Sequence, residues 1–520
     1  MKKHFNFILL VIFSFSSFSY SLGQTFDLNL NAIMKKNNGE WKKDDKITIT
    51  KFVHETQEFT TPELTHNNTY RTKVTYKELF YLEDANGTQV EINSKVDDCF
   101  IFEYNTIQDL WDASIISNIL YSLKKNGFQY DLRSEMESEA LDYIQKVRNS
   151  GLELDDPYLE TYVYSLIAKI APQQLIDGRP SSINLLIQEN PSIDACCFPN
   201  GTIVLNTGLL ASLHSEDELV AILAHEIAHF VLDHQIQNIN EAVSRQKRAE
   251  FWAGLATGLT ALGEGYLAVQ NPYYSPGAAT LGMAMISSSI ASQVIERLGM
   301  KYNHNQELEA DVLARKTLEI LGYDQCALAS ALSRIKSEYI QERNNVAYLD
   351  SYTHPALISR IKMAGTPANN RDKTFEQNIS FAVSSVALMK YSDRRFHQCL
   401  SFVNQNIENG VATVDDYILK ANCLLYTKND FDSNQDVITL LNKAKNLDKN
   451  NPNIYKAEIL ATLRIGNKTS AVEQLQQYIN VLNSFNLNDI NSSKSWEKIN
   501  NFINTELNWA SKMLIKLNGM

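Results

Sequence analysis

The chain has 520 residues, 44% apolar and 21% charged, with a formal net charge of −12. That length exceeds what one hydrophobic core serves, so two to four domains are expected, and the composition excludes a disordered or fibrous chain. The acidity argues against nucleic acid as a main partner, because phosphate contacts need basic patches.

The first residues combine Lys2 and Lys3 with an apolar stretch at 7–13 and a Ser/Phe-rich run ending Ser21-Leu22-Gly23. A basic start, a short apolar core and small residues at 21 and 23 predict a signal peptide over 1–23 and a mature start at Gln24. Loss of Lys2 and Lys3 would take the net charge to −14. Gln24 stands where a lipoprotein has Cys, which argues against a lipid anchor. Export is therefore expected. Residues 24–105 read as a small β-rich module: 46–50, 76–81 and 89–92 are strand-like, and Asp84-Ala85-Asn86-Gly87 supplies a turn. Helical periodicity follows over 107–148, a connector assigned to 106–150.

Residues 151–369 hold the motifs that carry chemistry. An amphipathic helix at 158–170 precedes strand candidates at 183–188 and 201–206, then helices at about 215–235 and 305–321. Antiparallel strands followed by helices predict an α+β domain with a small antiparallel sheet. Between the last two helices, 265–295 contains no charged residue, but Pro272, Pro276 and Ser287-Ser288-Ser289 interrupt it. A hairpin packed over a cleft is expected there rather than a true membrane span, with membrane-surface contact left open. Six cysteines show no CxxC spacing, which predicts buried thiols. Over 370–520 the chain is helical, and Ile418-Leu419-Lys420-Ala421 recurs as Ile454-Tyr455-Lys456-Ala457 at an offset of 36. Together with Ala444, Leu447, Asp448, Asn451 and Pro452 this resembles tetratricopeptide (TPR) units, which stack helix pairs into an array.

Ala224-His225-Glu226-Ile227-Ala228-His229 sets HExxH in an apolar run that starts at Leu219. Residues four apart share a helix face, so both imidazoles reach one tetrahedral Zn²⁺ at about 2.0–2.1 Å. Glu226 neighbours the first ligand and is placed to take a proton from water rather than to bind metal. A catalytic zinc site has three protein ligands and an open position. Metzincin spacing needs Gly at 232 and His at 235, where this chain has Leu232 and Gln235; the HExxH-x18-Glu spacing needs Glu at 248, which is Arg248. An offset of five turns His234 away from the ligand face, as a surface or supporting residue. Downstream, Glu307 and Asp311 share one face of a helix. Glu307 is the candidate third ligand, Asp311 the group that orients a ligating imidazole, and Glu309 points to solvent.

HExxH followed by ExxAD resembles the gluzincin family of HtpX and the CAAX prenyl endopeptidases, and above all its periplasmic, TPR-bearing branch. Asp194-Ala195-Cys196-Cys197-Phe198-Pro199 with Gly201, Ile203 and Val204 is similar to that family's edge-strand segment. Gly208-Leu209-Leu210 follows in order, and His354-Pro355 with Arg360 matches the family's C-terminal motif. The likeness covers roughly 155–365; Asp194 departs from it, standing where the family commonly has Asn. It implies one Zn²⁺ per chain on His225, His229 and Glu307, with a metal-bound water as nucleophile and Glu226 as general base. It also implies that His354 stabilises the oxyanion with support from Arg360, although in some relatives an equivalent histidine plugs the open zinc position.

A substrate strand adding along Gly201, Ile203 and Val204 would be held by main-chain pairing, which accepts many sequences. The expected activity is thus endoproteolysis of unfolded or misassembled envelope proteins, in the periplasm of a Gram-negative bacterium, with a docking protein on the TPR-like array. The alternative is an assembly chaperone or scaffold with a latent protease site. Intact Glu226 favours the enzyme.

Overall fold

The computed structural model describes residues 21–64, 70–92, 99–122, 127–245, 302–343, 356–484 and 493–518. Residues 1–20 of the expected signal peptide, the apolar stretch at 265–295 and His354 lie outside the described residues. The chain divides into two compact units, Met1–Leu132 with Pro172–Pro180, and Arg133–Ala171 with Ser181–Met520.

In the first unit, β1 (Ser21–Met34), β2 (Lys46–Leu64), β3 (Tyr70–Asp84), β4 (Gln89–Glu91) and β5 (Phe100–Glu103) form an antiparallel sheet ordered β4-β3-β2-β1-β5. β1 starts three residues before the expected mature terminus, with Ser21 opposite Gln57. Alternation along β1 puts Leu30, Ala32 and Met34 on one buried face, and Ile49, Phe52 and Leu82 are buried with them. After β3, Asp84 accepts the Trp41 indole N–H at 2.9 Å and the backbone N–H groups of Asn86 and Thr88. That closes the turn read from the sequence. α1 (Ile107–Ser122) follows, burying Leu110 and Trp111.

The second unit holds most of α2 (Gly127–Ser150) and all of α3 (Pro157–Ile170), which Asp156 caps by accepting the N–H groups of Tyr158 and Leu159. β6 (Asn184–Gln188), β7 (Ala195–Cys197) and β8 (Thr202–Asn206) make a sheet ordered β6-β8-β7. The reading of two antiparallel strands needs correction: β6 and β8 run parallel, and β7 supplies the antiparallel partner. The chain reverses through β7 and then inserts β8 between the other two. All five residues of β8 are buried. Ile203 and Val204 therefore lie on the central strand, Gly201 lies in the turn before it, and the edge is β7. Gly201 has φ 79°, and a Cβ there would meet the Ser182 carbonyl oxygen at 2.5 Å. Its role is the close approach of two backbones.

α4 (Thr207–Ser212) leads to α5 (Glu216–Val231), whose N-cap Ser215 accepts the Glu218 N–H. Every residue of α5 from Glu218 onward is buried, as the apolar run requires. α6 (His234–Arg245) follows a break. α7 (His304–Leu321) opens with a capping box between Asn303 and Gln306. α8 (Ala327–Arg343) and α9 (Leu357–Ala364) complete this part, and α5 packs on α3, α7, α8 and β7. Among the described residues no helix is long and apolar enough to cross a membrane. All six cysteines are free thiols.

Beyond α10 (Lys373–Asn378), α11 (Ser380–Ser392) pairs with α12 (Phe396–Asn409), α13 (Val414–Thr427) with α14 (Phe431–Leu447), and α15 (Pro452–Arg464) with α16 (Lys468–Ser484), followed by α17 (Ser493–Asn518). α13 also packs on α11 and α15, so the hairpins stack. The repeated residues Ile418, Ala421, Ile454 and Ala457 share one buried core with Leu441 and Tyr478. α11 packs on α4, and Ser385 donates to Glu189 at 3.3 Å.

His214 joins α5 to the helices beyond residue 370: its N–H donates to Glu218 at 2.8 Å and its carbonyl accepts the Asp372 N–H at 2.8 Å. Burial, reinforced by Arg334 and Arg371, pulls its imidazole down to about 4. An unfolded histidine titrates near ~6.5, so the unfolded chain binds this proton first. The stability carried by neutral His214 is therefore whole above about pH 6.5 and is lost as pH falls toward the folded value. His214→Gln should narrow the gap between melting temperatures at pH 7 and pH 4.5. A gap equal to that of the wild type would contradict this.

Candidate metal centre

α5 presents His225 and His229 one turn apart, and α7 brings in Glu307 in its first turn. The two Nε2 atoms are 3.1 Å apart. The Glu307 carboxylate lies 3.6 Å from Nε2 of His225 and 3.5 Å from Nε2 of His229. Ligands at about 2.0–2.1 Å from a tetrahedral ion stand roughly 3.3–3.4 Å from one another, so these atoms have the spacing of three corners. They are the cluster fit to hold a metal among the described residues, and all three are buried. The donor set suits Zn²⁺.

Behind the ligands, Nδ1 of His225 lies 3.0 Å from Oδ1 of Asp311. Arg360, buried at 1% exposure, forks onto both Asp311 oxygens at 2.7 and 2.8 Å and ion-pairs with Glu307. Burial alone would raise the Asp311 carboxyl, but the Arg360 bonds outweigh it and hold the group well below the usual carboxylate range. Burial, with Arg360 adding to it, lowers His225 despite the pull of Asp311. A neutral imidazole is the form that ligates. The sequence assigns Arg360 an electrostatic role in support of His354; in the structure its guanidinium is bonded to Asp311 and ion-paired with Glu307, as a group that positions the ligand carboxylate.

Glu226 is buried and accepts the Cys197 backbone N–H at 3.1 Å. The Cys197 carbonyl accepts the Gln235 amide at 2.7 Å, and that amide also donates to the Tyr302 hydroxyl at 2.8 Å. Phe198 N–H donates to Thr202 and Asn206 N–H to Asp194, so 194 and 198 face β8. Alternation then turns Cys197 outward. At this register the sheet edge beside the metal ligands is already taken by Glu226 and Gln235.

Gln235 and Tyr302 carry no role in the sequence reading, and of its two alternatives for His234, surface or supporting, the buried position behind His229 fits the second. The Tyr302 ring stacks on His229 with centroids 3.6 Å apart. Its only sequence signal is its place just before the Asn303/Gln306 capping box. The offset argument for His234 assumed a helix running to 235, but α5 ends at Val231 and Asp233 takes φ 61°. Asp is among the few residues that tolerate that region, and its carboxylate pairs with Arg133. The reversal folds His234 back until its Nδ1 is 2.8 Å from Nδ1 of His229. Glu309 is half-exposed, yet it reaches Nε2 of His234 at 3.3 Å.

An HExxH helix crossed by a second helix that donates a glutamate, with the HExxH glutamate against an edge strand, defines a metallopeptidase domain of the gluzincin kind. Residues 157–368 match the model for Peptidase family M48, and the chain carries a domain of that family. It is 27% identical over 219 residues, 42% of this chain and 41% of the relative, to a putative beta-barrel assembly-enhancing protease of Vibrio cholerae. To the beta-barrel assembly-enhancing protease of Escherichia coli it is 26% identical over 230 residues, 44% and 42% of the two chains. A mitochondrial metalloendopeptidase OMA1 of Bos taurus is 38% identical over 120 residues, 22% and 21% of the two. The chain thus spans about two fifths of the length of the first two relatives it matches.

Proposed function

We propose that this chain is an exported zinc-dependent endopeptidase that hydrolyses unfolded or misassembled envelope proteins, in the periplasm of a Gram-negative bacterium. The observation that carries the reading is the buried triangle of His225, His229 and Glu307 at 3.1–3.6 Å with Glu226 one residue from the first ligand. Zinc bound there supplies Lewis acidity, polarising a carbonyl and acidifying water. Glu226 takes the proton of the attacking water and hands it to the leaving amine. Asp311 fixes the ring of His225 through Nδ1, and Arg360 holds the carboxylates of Glu307 and Asp311 in place. β7, the edge strand, is the place where an extended substrate adds, after displacing Gln235 from the Cys197 carbonyl. The stacked hairpins from α11 onward are read as a TPR-like array that docks a partner or client protein. Export rests on the basic, apolar and small-residue order of the first 23 residues.

The test is metal removal. Purified protein should carry one zinc and cleave an unfolded protein substrate; chelation should abolish cleavage, and stoichiometric Zn²⁺ should restore it. The Glu226 and Gln235 contacts on the β7 edge also suit a second reading, a scaffold with a latent site. Zinc-loaded protein with no cleavage under any condition would decide for that reading.

A further inference from the structure

The two histidine ligands are supported differently. His225 has a carboxylate behind it, Asp311 on α7. Behind His229 stands another imidazole, His234, at 2.8 Å between Nδ1 atoms, and behind that stands Glu309 at 3.3 Å, also on α7. His234 is 1% exposed. The backbone reverses at Asp233 with φ 61°, Arg133 pairs with the Asp233 carboxylate, and the Tyr302 ring stacks on His229.

One assignment of ring protons satisfies these contacts together. Nε2 of His229 faces His225 and Glu307, so as a ligand it carries no proton. Its Nδ1 then holds the proton and donates to Nδ1 of His234, which must be the bare nitrogen of that ring. Nε2–H of His234 is left to donate to the Glu309 carboxylate. Reversing either ring would put two protons or two lone pairs face to face.

We propose that His234 and Glu309 form a positioning relay for the metal ligand His229: the exposed carboxylate orients His234, and His234 fixes the tautomer and plane of His229. The inference rests on the metal-site reading above. In it, α7 supplies a ligand at Glu307 and the support of both imidazoles, directly through Asp311 and by way of α6 through Glu309. Removing a group behind a ligand typically costs about 10–100-fold in metal affinity.

The test measures zinc affinity of the full chain, stripped of metal, by competition with a chromophoric chelator, and records the visible spectrum of the Co²⁺ form. His234→Ala should weaken zinc by about 10–100-fold and perturb the cobalt bands. His234→Gln, whose carboxamide oxygen can accept from Nδ1–H, should regain most of both. Glu309→Gln should weaken zinc in the same direction by a smaller factor. Affinity of His234→Ala within about threefold of wild type would overturn the relay, as would a Gln variant no better than Ala. Circular dichroism of the metal-free proteins checks folding. If His234→Ala does not fold, Glu309→Ala decides, because that side chain is 54% exposed, and unchanged affinity there overturns the proposal. Wild type that binds no zinc would overturn the metal site and the relay together; wild type that binds, with variants equal to it, overturns the relay alone.

Discussion

Glu226→Gln should lower the turnover of an unfolded protein substrate by about 10²–10⁴-fold while zinc content stays at one per chain. The carboxamide keeps the shape of the side chain, and its oxygen can still accept the Cys197 N–H, the bond seen at 3.1 Å. What it cannot do is take a proton and return it. The substitution therefore removes general-base and general-acid work and leaves the fold, the ligands and the edge strand in place. In free energy the expected loss is roughly 3–5 kcal/mol of transition-state stabilisation. Glu226→Ala is a worse test, because it also strands a buried backbone N–H. Equal turnover in wild type and Glu226→Gln, with both zinc-loaded, would remove Glu226 from the chemistry.

Much of the site was legible in local spacing. His225 and His229 sit four apart on a helix, and Glu307 and Asp311 sit four apart on another, so facing pairs follow from the helical period alone. The helices themselves announce their ends, with Ser215 and Asn303 as caps. Of the N-terminal sheet, parts of β2 and β3, β4 and the turn at Asp84 were legible from alternation and turn residues, whereas β1 and β5 were not. Three things were not legible. Strand order is a tertiary choice: β6 and β8 look alike in sequence whether they pair parallel or antiparallel, and the three-residue β7 between them has no periodicity to read. The break after Val231 hangs on one residue, Asp233, in the left-handed region, and without it His234 is placed by the wrong rule. Arg360 lies 49 residues from Asp311, and nothing local says which carboxylate a distant guanidinium will meet.

Arg360 carries the second large expectation. Glu226, Glu307 and Asp311 are three carboxylates buried around two imidazoles, and Arg360 is the cation bonded to two of them. A buried charge is tolerable only when paired, and removing one partner of a buried pair typically costs about 3–5 kcal/mol. Arg360→Met keeps the volume and deletes the charge, so Asp311 loses its two bonds and Glu307 its ion pair. The metal-free variant should melt well below metal-free wild type, by about 6–20 °C if the domain unfolds as one unit of about 150–250 residues. Arg360→Lys should restore only part of that, since a single ammonium cannot reproduce the two-pronged grip on Asp311. Zinc should recover some of the loss, because a dication beside Glu307 takes over part of the neutralisation. Calorimetry of both proteins, with and without zinc, reads all of these. A metal-free Arg360→Met protein that melts within a degree of wild type would mean that the guanidinium does not hold the carboxylates behind the metal ligands.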